Sequence, residues 1–299
     1  MALNQVARDD WQGLIEAARA GLSSGDGVSA RRAATMAARV APDTAEAQLM
    51  LGDVWDALGR FAEAARAYKR AVEIEPGSAA AVGGLADALH AAGRDGEALP
   101  YCQQAVELVP GDGSLWATLG HVLTELTRHD EALTAYQKAL ELGTPSASLY
   151  TSLGYLHYYR QDLAASRDAF QQAIALAPDA ATPHNNLAYV EILSGNVETA
   201  VPLLERAIEL NHDFVRAYYN RGLCAWLQEQ REEATSFYAH GRVHDQGEAE
   251  FAAHRDDLNE VRRQQEPWSS QLQQLAVLLD RTTAMTPRRA TIVKQPRNR

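Results

Sequence analysis

Between Ala45 and Pro76 the apolar positions fall at helical spacing twice over. Leu51, Val54, Trp55 and Leu58 form one stripe, and Phe61, Ala64, Ala65, Tyr68, Ala71 and Val72 form a second. Residues three and four apart share a helix face, so each stripe predicts an amphipathic helix. Gly59-Arg60 breaks the pattern between them as a tight turn, and Pro76-Gly77 ends the second helix. The pattern then recurs with a stride of 34 residues: Pro42, Pro76 and Pro110 hold one register, which continues through Thr144, Pro178 and His212. Three registers keep small residues at the same stride. They are Gly52, Ala86, Gly120, Gly154, Ala188, Gly222; Ala64, Ala98, Ala132, Ser166, Ala200, Ala234; and Ala71, Ala105, Ala139, Ala173, Ala207, Gly241. A two-helix unit repeated at this period predicts a stack of hairpins sharing one continuous core.

The small residues have a mechanical reason. Where two helices cross, only glycine or alanine lets the backbones approach until the larger neighbours interdigitate. Tyr68, Tyr136, Phe170 and Tyr238 share a register that fills the space beside those crossings. Pro100 and Pro202 share another, expected in the first turn of a second helix, where a missing N–H costs little. A degenerate unit precedes the regular ones, with Trp11 to Leu22 and Ser29 to Val40 as its helices. After the repeats, Glu248 to Gln265 reads as a polar helix with Phe251, His254, Leu258 and Val261 on one stripe. Pro267 breaks the chain, and Trp268 to Asp280 presents Leu272, Leu275 and Leu279. Disorder is expected from Thr282 onward.

These registers resemble the tetratricopeptide repeat family over six units between about Ala45 and Val243. Departures are Thr144 and His212 where proline is expected, and Arg221 where five units carry leucine. The fold expected is all-α, a right-handed α-solenoid of about seven TPR-like units with a C-terminal capping helix region. Its divisions are residues 1–44 for the degenerate unit, 45–246 for six repeats, 247–281 for the capping helices and 282–299 for a basic tail.

Charge narrows the partners. The last 19 residues hold six basic residues and no acid, leaving 22 basic against 39 acidic residues in the preceding 280, a formal −17. Such a body repels nucleic acid and anionic membrane, so neither is expected as a partner. No apolar stretch approaches the roughly 18 residues of a membrane span. Met1 to Leu14 lacks the basic start and apolar block of a secretory signal, and a cytoplasmic location is the expectation. Cys102 and Cys224 lie in different repeats and form neither a disulfide framework nor a zinc pattern.

Catalytic constellations are poor: there is no Gly-rich phosphate loop, zincin pattern or nucleophile elbow. His240 and His244 stand four apart on a predicted helix, with Asp245 or His254 as conceivable third ligands. Two ligands at one spacing read better as surface histidines, so no metal, no cofactor and no enzymatic activity are expected.

The first helices of stacked units line one concave wall, and the residues opposite their packed faces read off in frame. They are Asp53, Asp56, Asp87, His90 and His121, with Gly83 and Gly84 as an open floor; then Tyr155, Tyr158 and Tyr159; then Asn185, Asn186 and Tyr189; then Arg216, Tyr219, Asn220 and Trp226. Asn186 and Asn220 share a register in adjacent units. The resemblance implies that such groove asparagines hold an extended ligand through its backbone. The family's two-carboxylate clamp is absent, because the early units carry aspartate where that clamp has cations.

The expected function is therefore a non-catalytic scaffold or adaptor holding an extended or helical partner segment, basic toward one end. The peptide-binding candidates are Asp53, Asp87, His121, Tyr155, Tyr158, Asn185, Asn186, Tyr189, Arg216 and Asn220. The rival reading is a dimeric scaffold that pairs the Trp268/Leu272/Leu275/Leu279 stripe between subunits. Arg288-Arg289-Ala290-Thr291 also resembles a basophilic kinase site, which offers regulation of the tail by phosphorylation.

Overall fold

The computed structural model describes residues 10–245 and 249–285. All regular structure among them is helical. The first helices of seven hairpins are α1 (Trp11–Ser23), α3 (Ala45–Ala57), α5 (Ala79–Ala91), α7 (Gly113–Glu125), α9 (Ala147–Tyr159), α11 (Ala181–Leu193) and α13 (Val215–Leu227). Their partners are α2 (Gly27–Val40), α4 (Phe61–Ile74), α6 (Asp95–Leu108), α8 (His129–Glu141), α10 (Leu163–Leu176), α12 (Val197–Leu210) and α14 (Arg231–His244). Both series start every 34 residues, so the degenerate first hairpin stands in the same frame as the others. Two more helices follow, α15 (Ala249–Gln264) and α16 (Ser269–Met285), joined by a 3₁₀ turn at Glu266–Trp268. The chain forms two compact units that meet in sequence between Leu156 and His157, inside α9.

The turn within each hairpin has one residue in the left-handed region, and that residue also recurs every 34 positions. Gly25, Gly59, Gly93 and Gly195 take it without a Cβ penalty, while Thr127, Gln161 and Glu229 adopt φ of 59°, 61° and 65° with side chains. Several helices begin on side-chain caps, including Asp26 to the Ser29 amide and Asp162 to the Ala165 amide.

The small-residue registers are buried, and the structure shows what they accommodate. A Cβ on Gly52 would stand 2.5 Å from the Tyr68 ring, one on Gly120 2.6 Å from Tyr136, and one on Gly222 3.0 Å from Tyr238. Where the first helix carries Ala86 or Ala188 instead, the facing register holds Cys102 or Leu204. Glycine thus accompanies an aromatic ring and alanine a smaller side chain, which keeps each hairpin crossing equally filled.

Two departures from the repeat find physical explanations. Arg221, at a leucine register, is buried on α13 and reaches Glu205 on α12 and Glu233 on α14 at 3.3 and 2.8 Å, with its guanidinium 4.8 Å from the Phe237 ring centroid. Opposite charges on two neighbouring helices let it lie where an apolar side chain is usual. At Thr144, which replaces proline, Gly143 turns left-handed and the Thr144 amide bonds back to the Ala139 carbonyl, closing α8 by a Schellman-type cap.

Pro100 and Pro202 require a correction, since each is the sixth residue of its helix and not in the first turn. Each removes one helical hydrogen bond. Both lie on exposed faces, where a freed carbonyl need not be buried unpaired.

The C-terminal helices belong to the second unit and pack on its first-helix face. Tyr238 on α14 bonds His254 across 3.0 Å, and Phe251 meets Tyr219 edge-on at 5.6 Å. Farther along α15, the Tyr189 hydroxyl lies 3.5 Å from the Asp257 carbonyl, and Gln264 donates to Gln161 at 2.6 Å. Gln265 donates to the Leu193 carbonyl, and Trp226 donates its indole N–H to the Gln271 carbonyl at 2.9 Å. Leu272, Leu275 and Leu279 are buried in the same cluster as Ile192, Leu223 and Trp226. The stripe considered for pairing between subunits is therefore consumed within the chain. Helix α16 also runs to Met285, past the Thr282 boundary expected for the tail. Thr291 lies outside the described residues.

Candidate peptide-binding face

In the first unit, α3, α5 and α7 carry one register outward in succession as Asp53, Asp87 and His121. Asp53 accepts from the Tyr68 hydroxyl at 2.9 Å, and Asp87 accepts from Thr118 at 2.7 Å. Asp56 sits one turn along from Asp53. Burial among protein atoms raises the carboxyl pKa of all three, and for Asp53 and Asp87 the neighbouring Asp56 charge adds to that. None of the three forms an ion pair among the described residues, whereas Arg60, Arg70, Arg94 and Arg128 on the second-helix side each hold a carboxylate.

His121 Nδ1 lies 2.8 Å from the Tyr136 hydroxyl, with the Ser152 hydroxyl 3.3 Å away. Burial, with His90 adding to it, pushes its pKa down to about 4, and the ring is neutral near pH 7. His90 stacks on it at 6.1 Å and contacts Asp95 through Nδ1 at 2.6 Å. Tyr155 continues the register on α9 and is half-buried. Gly83 and Gly84 do not make an open floor: a Cβ on Gly83 would touch Leu115, and one on Gly84 would stand 2.8 Å from the Tyr68 ring.

The second unit presents the remaining candidates differently. Asn185 and Asn220 are each 1% exposed and Asn186 is 8% exposed. Asn220 donates to Asn185 Oδ1 at 3.0 Å, and Asn185 donates to Asn186 Oδ1 at 3.3 Å. Tyr189 lies against α15, Tyr158 meets Tyr189 edge-on at 5.9 Å, and Arg216 pairs with Glu250 of α15 at 3.1 Å. The structure therefore brings these six residues together, but beneath or beside the chain's own C-terminal helices.

Sequence reasoning read α15 and α16 as a cap and missed that they cover this face. On α13 Ala217 to Leu227 are buried without interruption, and a helix buried all round needs a neighbour on its outer side as well; Asn220 and Arg221 within that stretch hid this from the sequence pattern.

Of the conceivable metal ligands, His240 and His244 stay together, with ring centroids 5.0 Å apart, but each conceivable ligand also has other partners. His240 stacks on Tyr218, His244 faces Asp213, His254 bonds Tyr238, and Asp245 accepts from Tyr219 and the Phe251 amide. Among the described residues no group of three or more His, Cys, Asp or Glu side chains is placed to hold a metal ion. Nor is any described helix long and apolar enough to cross a membrane.

A family model for the tetratricopeptide repeat matches residues 15–79, 56–113, 118–181, 151–210 and 185–241. The chain belongs to the tetratricopeptide repeat family. Its fold class is accordingly an α-solenoid of TPR hairpins, an architecture of protein-interaction scaffolds. No curated protein matches the chain.

Among solved structures, this TPR protein is similar to a tetratricopeptide repeat protein from Parabacteroides merdae at 18% identity and a TM-score of 0.62, covering 85% of this chain and 99% of the other. It is similar to pilF of Pseudomonas aeruginosa at 18% identity and 0.60, covering 76% and 98%. It also resembles YrrB, described as a TPR protein with an unusual peptide-binding site, at 21% identity and 0.53, covering 64% and 97%. Likeness at these identities speaks to the fold alone.

Proposed function

We propose that this TPR protein is a non-catalytic scaffold whose first-helix face in the unit ending at Leu156 holds a basic, extended segment of a partner protein. The observation that supports it is the row Asp53, Asp87 and His121, in one register on three successive first helices, with Asp56 beside it and no ion-paired cation. Burial has already raised the free energy of these carboxylates. An arriving guanidinium or ammonium group relieves that cost, while His121 stays neutral and does not repel it. Tyr155 adds rigid apolar area with a polar tip, a side chain suited to interfaces. In the following unit the corresponding face carries α15 and α16, so the ligand is assigned to the open row.

Isothermal titration of the full chain with a synthetic peptide of alternating arginine and alanine tests this reading. Micromolar affinity, about −8 kcal/mol, is expected. Asp53→Asn with Asp87→Asn should weaken it roughly tenfold, and salt should weaken it further. An unchanged titration in the double variant overturns the assignment.

A further inference from the structure

Helix α2 breaks the charge pattern of its own repeat. At the registers of Met36 and Arg39, three other second helices carry an ion pair three residues apart: Arg70 with Glu73, Lys138 with Glu141 and Arg206 with Glu209. In α2 the first position is an exposed methionine, 51% accessible, and the second is an arginine where those hairpins have glutamate. The helix contains Arg31, Arg32 and Arg39 and no acid, and none of the three pairs with a described carboxylate. Val28, 70% exposed, extends the apolar strip.

These side chains are not scattered. They line one cavity of about 740 Å³ in the first unit, whose ten lining residues include the three arginines, Val28, Met36 and Trp55, and no acid. Its volume lies within the range of ligand-binding clefts. Trp55 forms part of its wall and carries Arg31 at 5.9 Å and Arg60 at 5.6 Å from the ring centroid. An aromatic face held between guanidinium groups is a common anchor for an apolar side chain flanked by anions.

From this we infer that the α2 cavity is a second docking site, for an acidic segment of a partner protein that seats one apolar side chain against Met36 and Trp55 while its carboxylates meet the arginines. Arg31 and Arg39 are eight residues apart, roughly 12 Å along the helix. An extended peptide covers that distance in about four residues, so acids about four positions apart with a hydrophobic residue between them match the site. A single small carboxylate reaches only one end. A nucleic acid or an anionic membrane finds the apolar strip unfavourable and the formal −17 of the first 280 residues repulsive. This site is separate from the Asp53–Asp87–His121 row and carries the opposite charge preference.

The test is fluorescence anisotropy of a fluorescein-labelled peptide in which two glutamates four positions apart flank a leucine, titrated with the full chain. Met36→Arg with Arg39→Glu installs the ion pair that the other hairpins already carry, and so preserves folding by design. Wild type should bind in the micromolar range and lose affinity when glutamine replaces the glutamates. The double variant should bind at least roughly tenfold more weakly, with an unchanged thermal melt. Equal binding by the double variant, or no preference for glutamate over glutamine, overturns the inference. Sedimentation velocity supplies the last arm: wild-type self-association that the double variant abolishes would make the occupant a second copy of this chain and overturn the assignment to a foreign acidic segment.

Discussion

Asn220 donates its side-chain amide to Oδ1 of Asn185 at 3.0 Å, and both residues are 1% exposed. Asn185 in turn donates to Asn186, so these side chains bond to one another within the unit that begins at His157, while Asn220 Oδ1 stays buried without a partner. Asn220→Ala strands the Asn185 oxygen and should cost about 1–3 kcal/mol of unfolding free energy in urea denaturation. A midpoint equal to wild type would show that this bond does not hold the face together.

The pairing of glycine with aromatic rings predicts a coupling. Gly120→Ala drives a methyl group to 2.6 Å from the Tyr136 ring and should destabilise by about 1–3 kcal/mol. In a Tyr136→Leu background the same change should be nearly neutral, because the hairpin of Ala188 and Leu204 already has that combination. A double-mutant cycle with no coupling would contradict the packing rule.

Thr127 adopts φ of 59° with a β-branched side chain, at a turn position that four other hairpins fill with glycine. Thr127→Gly relieves roughly 1–2 kcal/mol of left-handed strain, offset in part by the greater freedom of glycine in the unfolded chain. Net stabilisation of about 0.5–1 kcal/mol is expected in denaturant titrations. A loss of stability would mean that the Thr127 side chain contributes more than its backbone costs.

A buried group and a half-buried one on α15, His254 and Asp257, titrate in opposite senses. Burial lowers the His254 pKa to about 3, so its contribution is present above the ordinary histidine range and is lost as pH falls toward 3. Burial raises the Asp257 carboxyl to about 6, so its contribution is present below the ordinary aspartate value of 3.8 and is lost as pH rises through 6. Between about pH 6 and 4 the two slopes oppose each other. Asp257→Asn should raise the melting temperature at pH 7.5 by about 3 °C, have little effect near pH 4, and make stability fall steadily as pH drops below 6.5. Equal stabilisation at both pH values would mean that ionisation of Asp257 is not its source.

The period itself was legible because every hairpin repeats the same apolar spacing, and the starts of all fourteen repeat helices follow it. The turns at Gly25, Gly59, Gly93 and Gly195 announce themselves by residue type, whereas Thr127, Gln161 and Glu229 are found only through the frame. Pro100 and Pro202 were misplaced because proline usually marks a helix start, and an exposed interior position tolerates it as well.

The positions of Asn185, Asn186 and Asn220 were read from register alone. Register gives the direction of a side chain but not what later segments bring over it. Helices α15 and α16 reach that face through contacts 68 and 45 residues distant in sequence, such as Tyr189 with Asp257 and Trp226 with Gln271. Their apolar stripes were visible, while their choice of partner depended on tertiary packing.

The most direct test of an open face in the first unit and an occupied one in the second is paramagnetic NMR with a nitroxide-labelled arginine–alanine peptide on the full chain. The backbone amides of Asp53, Asp87 and His121 should broaden, while those of Asn185 and Asn220 stay sharp. Broadening centred on Asn185 and Asn220, with the Asp53–His121 row unaffected, would contradict the account.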